Sequence, residues 1–465
     1  MKNSLGGSIG LAIKLNKVEI ILVFLGSLLA ALLTVSFGLN SLLIVVIPFI
    51  LWGIFHHFKH RTSSLIFIYL MIHLFTSTII PVSSSLRIIV FFGILSLILM
   101  FQMFSKTKHI NYFKFSFNMR LLFFLLLIVL VLGSFNSLNP IISLQYLFWY
   151  LGFLIFIFYI VPKEYGNLKS INTLFYAFVL SGFIMEILSL FTIKSGGLVD
   201  RAGNLAIRGI FTNSNMMGMI ALTTSLLSFI ILLNKIPLSK MKINIVRISG
   251  LISPIFVFLS NSRSSILGLS FTIILFGIVN RNTRKLSFFM IILGVFLFVF
   301  SKPFIYQWFR IDSLSLGIFG DRTVLFQFVL DSLPYIPWYG LGIGMQETLY
   351  YISPLIYVIP DDVLGFHNSY LQIIVETGIV GAVIYGFILF STFCKAFMVK
   401  NRTTKKLLFS IYAVLGGMMV NSFFESALLL PGSPYSLIFW TIICLIHVIY
   451  YFDIKGLKTH PSDTI

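Results

Sequence analysis

Continuous apolar runs recur along the chain, separated by short polar stretches. They are read at 18–36, 40–55, 64–80, 87–104, 119–135, 141–161, 170–193, 216–234, 246–260, 264–280, 286–301, 369–393, 407–424 and 435–452. An α-helix rises about 1.5 Å per residue, so roughly 20 apolar residues cross the hydrocarbon core of a bilayer. The runs do not alternate apolar and polar positions, as the strands of a membrane barrel would. Connections near residues 40 and 262 are very short, and each reads as one helix or as two. The expected fold is therefore all-α: a polytopic α-helical membrane protein with 12 to 14 transmembrane helices.

Four stretches follow from the spacing. Residues 1–193 hold N-terminal helices. Residues 194–301 hold central helices with Arg-bearing outer loops. Residues 302–368 form one large extracytoplasmic loop, and 369–465 hold the last helices and a cytoplasmic tail.

Composition narrows the class. The chain is 58% hydrophobic and 10% charged, with a mean hydropathy of +1.01. A soluble domain is about 45–50% apolar and about 25% charged. Soluble enzymes, disordered chains and fibrous proteins are excluded. No cleavable signal sequence is expected, because the first apolar run is long and others follow it. The two cysteines, Cys394 and Cys444, lie in or beside apolar runs and offer neither a disulfide framework nor metal-ligand spacing.

Basic residues orient the stack. Alternate connections, beginning with the N-terminus, carry 25 of the 33 Lys and Arg residues, and the other set carries eight: Arg87, Lys194, Arg201, Arg208, Arg263, Lys302, Arg310 and Arg322. The first set is expected in the cytoplasm together with both termini. The net charge of +19 is largely this topological signal and implies no nucleic-acid partner.

The choice of cation says more. Of the 25 inner basic residues, 19 are Lys, whereas six of the eight outer ones are Arg. Topology asks only for positive charge. The guanidinium adds a planar fork that holds carboxylate or phosphate oxygens bidentately, so the outer face reads as one that recognises anions. The alternative for any one of these Arg residues is pairing with an outer acid: Asp200, Asp312, Asp321, Asp331, Glu347, Asp361 or Asp362.

Candidate chemistry sits where outer loops meet helices. Ile207–Asn215 is rich in Gly, Asn and Ser, which favours a tight turn and a capped helix start. Such a start aims backbone N–H groups outward as an anion seat, with Arg208 beside it. Asn261–Ser265 puts Arg263 in a minimal turn between two apolar runs, where an unpaired charge is costly. Gly365–Tyr370 puts His367 at the outer start of a span, and imidazole suits proton transfer near neutrality. Glu186 and Glu376 lie within spans, where an acid is by default a functional hypothesis. His56, His57, His60, His109 and His460 read as solvated cytoplasmic residues, and His73 and His447 as hydrogen bonders between helices. The second outer loop carries Tyr306, Trp308, Phe309, Trp338, Tyr339, Tyr350, Tyr351 and Tyr357. These suit either sugar stacking or interface anchoring, and a short amphipathic helix is expected within 301–330. No nucleotide signature and no His–Glu–x–x–His pattern is present.

At these residues the chain resembles the O-antigen ligase and polysaccharide polymerase superfamily of bacterial envelopes. The resemblance rests on Arg208–Asn215, Ser262–Gly268, Gly340–Gly344 and, most specifically, His367–Gly381, and it covers roughly residues 200–430. Ser214 stands where that family usually has Pro between two Asn. Arg322 follows Asp321, where the family more often has Gly–Arg and then Trp. The resemblance implies a donor, an oligosaccharide on undecaprenyl diphosphate presented at the outer face of the cytoplasmic membrane. It also implies other polysaccharide assembly proteins, a flippase and a chain-length regulator, as partners. Catalysis would fall to His367, Arg208 and Arg263. Substrate binding would fall to Arg322, Asn213, Asn215, Asn368, Tyr370 and Glu376. No metal and no cofactor is expected, since guanidinium groups supply the charge.

Three activities compete. A polymerase joins repeat units of a capsule or exopolysaccharide. A ligase moves the glycan to a lipid A core or a protein by the same chemistry. The Lys-, Ile- and Phe-rich composition fits an AT-rich, Gram-positive source and favours the polymerase. A flippase or exporter would place charges mid-span along a central path and show repeated halves, whereas here the notable charges gather at one face.

Overall fold

The computed structural model describes residues 116–164, 168–193, 197–201, 204–279, 322–353, 366–428 and 433–454, with a few single residues besides. The expected spans at 18–36, 40–55, 64–80, 87–104 and 286–301 lie outside these stretches, as do residues 302–321 and 354–365 of the large loop. Among the described residues the expected spans from 119 onward are all present as helices. They are α1 (Phe117–Phe135), α2 (Pro140–Ile155), α3 (Leu168–Phe191), α4 (Ser214–Leu233), α5 (Lys240–Leu259), α6 (Arg263–Val279), α8 (Ser369–Met398), α9 (Arg402–Ser422) and α10 (Pro434–Ile454). A shorter helix, α7 (Arg322–Ser332), lies in the large loop. Seven described helices are long and apolar enough to cross a membrane, so the chain is a polytopic, α-helical, multi-pass membrane protein.

The run near residue 262, read as one helix or as two, is two, because Asn261 takes a left-handed φ of 49°, a conformation that Asn tolerates better than most residues. Two details depart from the sequence reading. The first outer loop is ordered as an antiparallel hairpin of β1 (Leu198–Arg201) and β2 (Asn204–Ile207). In addition, α5 starts at Lys240 rather than 246, because long cationic side chains let a helix run past its apolar stretch.

The core lies around α4 and α10, whose membrane-length windows are each 78% buried, against 33–67% for the other five. α4 packs on α3, α5, α6 and α9, and α10 packs on α8 and α9. Polar side chains bind the bundle where lipid offers no hydrogen bonds. Ser228 of α4 meets Ser249 of α5 at 3.2 Å, Ser249 meets Ser253 at 3.3 Å, and Ser253 donates to the Glu186 carboxylate of α3 at 2.8 Å. Glu186, expected to be functional, is thus a fully buried tie among three helices. His447 Nε2 lies 3.2 Å from Thr392 Oγ1, joining α10 to α8, the helix-to-helix role expected of it. A single π turn at Phe156–Ile160 extends α2, and Cys444 Sγ donates to the Ile157 carbonyl within it at 3.3 Å.

The least regular span is α8. Gly378 breaks it with φ 65° and ψ −176°. The loop ahead of α8 takes up the main-chain groups released there. Leu341 N–H donates to the Val375 carbonyl at 2.9 Å, Gly342 N–H to Glu376 at 3.2 Å, and Val380 N–H to Trp338 at 3.3 Å. The Gly340–Gly344 stretch can lie this close because its three glycines carry no Cβ: one added at Gly340 would strike the Glu376 backbone. On the other side, Ser143 of α2 donates to the Ile343 carbonyl at 3.1 Å. The loop is therefore wedged between the α1–α2 corner and the break in α8.

Gly378→Ala should destabilise the protein strongly, since it forces a positive φ on an L-residue, at roughly 1–2 kcal/mol, and drives a Cβ into the Trp338 carbonyl. Gly386→Ala, in the same helix with nothing within 4 Å of the new atom, should be neutral or stabilising. Thermal melts of both variants in detergent check the contrast.

Candidate functional site

Helix polarity brings the candidate residues to one end of the bundle. α4, α6 and α8 all begin there, α9 ends there, and hydrogen bonds between their tips fix the arrangement. Asn421 of α9 donates to Ser265 of α6 at 3.1 Å. Asn215 of α4 donates to Glu425, just past α9, at 2.7 Å. Ser369 of α8 donates to the Glu425 carbonyl at 2.6 Å. Lys240, Lys242, Lys395, Lys400, Arg402, Lys405 and Lys406 belong to the opposite helix ends.

The starts of α4 and α8 are built alike. Asn213 caps α4, its side-chain oxygen accepting from Met216 N–H at 2.8 Å. Ser214 is the first helical residue, where an N–H needs no partner and Pro would serve equally, so the departure from the family pattern has no structural cost. Asn368 caps α8, accepting from Tyr370 and Leu371 N–H at 2.9 and 3.0 Å. Arg263 is the first residue of α6, preceded by a buried cluster in which Ser262 lies 3.2 Å from Ser264 and 3.0 Å from Ser265. Three helix starts at one end concentrate positive dipole ends and outward N–H groups.

His367 sits in a strained turn. Its φ is 47°, and a left-handed conformation costs an L-residue roughly 1–2 kcal/mol. Neighbours on both sides hold it. Phe366 is fully buried in a cluster with Phe328, Leu349 and Val375, and Asn368 N–H donates to Ser426 Oγ at 3.0 Å. The imidazole between them is 38% exposed, with Nδ1 3.7 Å from Glu425 Oε2.

Arg208 is half-buried in the turn after the hairpin. Its N–H and that of Gly209 donate to the Gly197 carbonyl at 2.9 and 3.0 Å, and Ile210 N–H reaches Ser189 Oγ of α3 at 3.3 Å. The turn is thus pinned to the outer end of α3, seven residues ahead of Asn215. Arg263 is also half-buried.

The remaining candidates fall into two groups. Tyr370 joins the site rim, its hydroxyl donating to the Met419 carbonyl of α9 at 3.0 Å. Glu376 stands apart from His367. It is 1% exposed, accepts from Gln372 at 2.9 Å and faces the Gly344 N–H of the glycine loop, so it braces the break in α8. Arg322 opens α7. That helix overlaps the end of the 301–330 stretch in which an amphipathic helix is expected, but its apolar face, with Phe328 and Val329, packs into a core cluster with Leu349 and Phe366, while Gln327 and Asp331 are exposed. Of the loop aromatics described, Tyr350 stacks on Phe328 at 5.1 Å as core, whereas Trp338 and Tyr351 are exposed.

The sequence alone gives Glu425 no role. Its ties to Asn215 and Ser369 span more than 50 residues and have no local signature.

An apolar groove of about 200 Å³ starts at this rim. It begins at Tyr370 and Leu428 and follows α8 past Ile373 and Tyr385 to Gly386, with Phe439 and Trp440 of α10 opposite. Since α8 rises about 1.5 Å per residue, its wall reaches well into the depth of a bilayer.

These features define a multi-pass membrane protein with a cationic, imidazole-bearing rim above an apolar groove. Residues 248–386 match the family model described as O-antigen ligase, so this part of the chain is similar to the O-antigen ligase and polymerase superfamily. Arg263, the glycine loop, His367 and Glu376 lie inside the matched segment, and Arg208, Asn215 and Glu425 lie outside it. No curated protein matches the chain.

Ser369 closes the seam between α8 and the 425–428 loop, since its hydroxyl also accepts from Ala427 and Leu428 N–H at 2.9 and 3.1 Å. Ser369→Ala should leave buried backbone groups unpaired at about 1–3 kcal/mol. Faster amide exchange at 427 and 428, read by mass spectrometry, checks this.

Proposed function

We propose that the protein is a polysaccharide polymerase that joins undecaprenyl-diphosphate-linked repeat units at the outer face of the cytoplasmic membrane, with both termini inside. The observation that carries the reading is the single rim that gathers His367, the turns bearing Arg208 and Arg263 and three helix starts above an apolar groove. A donor with a diphosphate head and an isoprenoid tail needs that combination. A water-soluble sugar nucleotide needs no groove at bilayer depth. The Lys- and Arg-rich helix ends opposite fit the cytoplasmic side.

In this mechanism an acceptor hydroxyl attacks the anomeric carbon of the donor sugar. The new C–O bond forms as the bond to the diphosphate breaks, and that electron pair leaves on undecaprenyl diphosphate. The hydroxyl proton passes to Nε2 of His367. Arg208 and Arg263 hold the diphosphate as its charge grows, each charge-assisted bond contributing about 1.5–3 kcal/mol in a setting of low dielectric. Arg322, Asn213, Asn215, Asn368 and Tyr370 complete the substrate rim. A ligase would run the same step with another acceptor.

Purified protein given a lipid-linked repeat unit and no nucleotide should yield longer glycans on gels, with or without chelator. Arg208→Ala should abolish them, and His367→Ala should slow their formation by about 10²–10⁴-fold, while the protein remains folded. Arg→Lys at 208 or 263 should also lower activity, because the fork is lost. Transfer only to a lipid A core or a protein acceptor would replace the polymerase by the ligase.

A further inference from the structure

Glu425 is an acid almost removed from solvent, 6% exposed, at the rim of a site read as binding an anion. A carboxylate there opposes the substrate's charge unless it serves another group. Its surroundings show which one. Oε1 is engaged by Asn215 at 2.7 Å, which fixes the side chain from α4. Oε2 is turned toward Nδ1 of His367 at 3.7 Å.

The main chain holds the same relation. The Glu425 carbonyl accepts from Ser369 Oγ at 2.6 Å and from Ala427 N–H at 3.1 Å. Asn368 N–H donates to Ser426 Oγ at 3.0 Å. The backbones at 367–369 and 425–427 are thereby locked together, so the carboxylate and the imidazole face one another through a braced seam.

We propose that Glu425 is a positioning residue for His367, holding the imidazole by its Nδ1 edge so that Nε2 faces the acceptor hydroxyl. This inference rests on the reading of His367 as the proton acceptor. With Nδ1–H turned to the carboxylate, the Nε2 lone pair is free to take the proton, and the imidazolium formed lies beside a negative charge. Asn215 is the outer member of the relay and keeps the carboxylate from swinging toward the diphosphate. Among the described residues, other ionisable groups brought to this end by the packed elements include Arg208, Arg263, Tyr350, Tyr370 and Tyr435. The guanidinium groups hold charge, and the tyrosine hydroxyls of Tyr370 and Tyr435 are spent on the Met419 and Met418 carbonyls.

The test is a double-mutant cycle on the full-length protein in detergent or nanodiscs, with lipid-linked repeat unit as donor. Glu425→Gln keeps the shape and a contact for Asn215 but removes the charge. It should lower kcat on the order of 10–100-fold, less than the 10²–10⁴ that the base itself supplies, with the donor KM little changed. Glu425→Asp should recover part of the loss. In a His367→Ala background, Glu425→Gln should cost nothing further, because residues acting as one unit are not additive.

Glu425→Gln with wild-type kcat overturns the proposal. So does an equal loss with and without His367, or a loss that merely follows a lowered melting temperature. If His367→Ala itself keeps wild-type kcat, the reading of His367 as base fails instead, and the two failures are told apart by that single variant.

Discussion

A chain that lives in a bilayer must satisfy its own main chain, since lipid offers neither donors nor acceptors. Nearly every irregular feature of this bundle is an answer to that demand. Where α8 breaks at Gly378, the loop 338–342 supplies the missing partners. At the π turn of α2, a thiol from α10 meets a carbonyl of the widened turn. Where α9 ends, the hydroxyl of Ser369 gathers one carbonyl and two N–H groups. The candidate site is assembled from these same repairs. His367 sits one residue from the Asn368 cap, and Glu425 sits in the segment that Ser369 clasps.

The site's electrostatics follow from helix direction. Three helices begin at one end, so partial positive charge accumulates there without any side chain. The Lys-rich ends lie at the opposite end of the bundle. Arg208 and Arg263 add fixed charge at turns pinned by serine hydroxyls and backbone bonds. The rim is thus shaped before any ligand arrives, which is how preorganised charge acts most strongly.

Much of this was legible in the sequence. Apolar run length located every described span to within a few residues, because a bilayer leaves little freedom over helix length. The capped helix start was legible in the Gly, Asn and Ser content of Ile207–Asn215, Arg263 as a costly charge in a minimal turn, and His367 as an imidazole at the start of a span. The hairpin at 198–207 was not legible, since four-residue strands leave no periodicity. Glu376 shows a further limit. Its position within a span marks it as a functional candidate, and only the contact with the distant glycine loop reveals that it also faces a backbone break. Glu425 was hidden for the same reason, as its meaning lies in partners from α4 and α8.

The left-handed turn at residue 367 has one more consequence. Glycine or asparagine would occupy that backbone conformation with less strain, so the chain keeps an imidazole where a different residue would fold more easily. A screen for heat resistance alone would tend to discard the histidine, whereas under the proposed role of His367 a screen for activity would keep it.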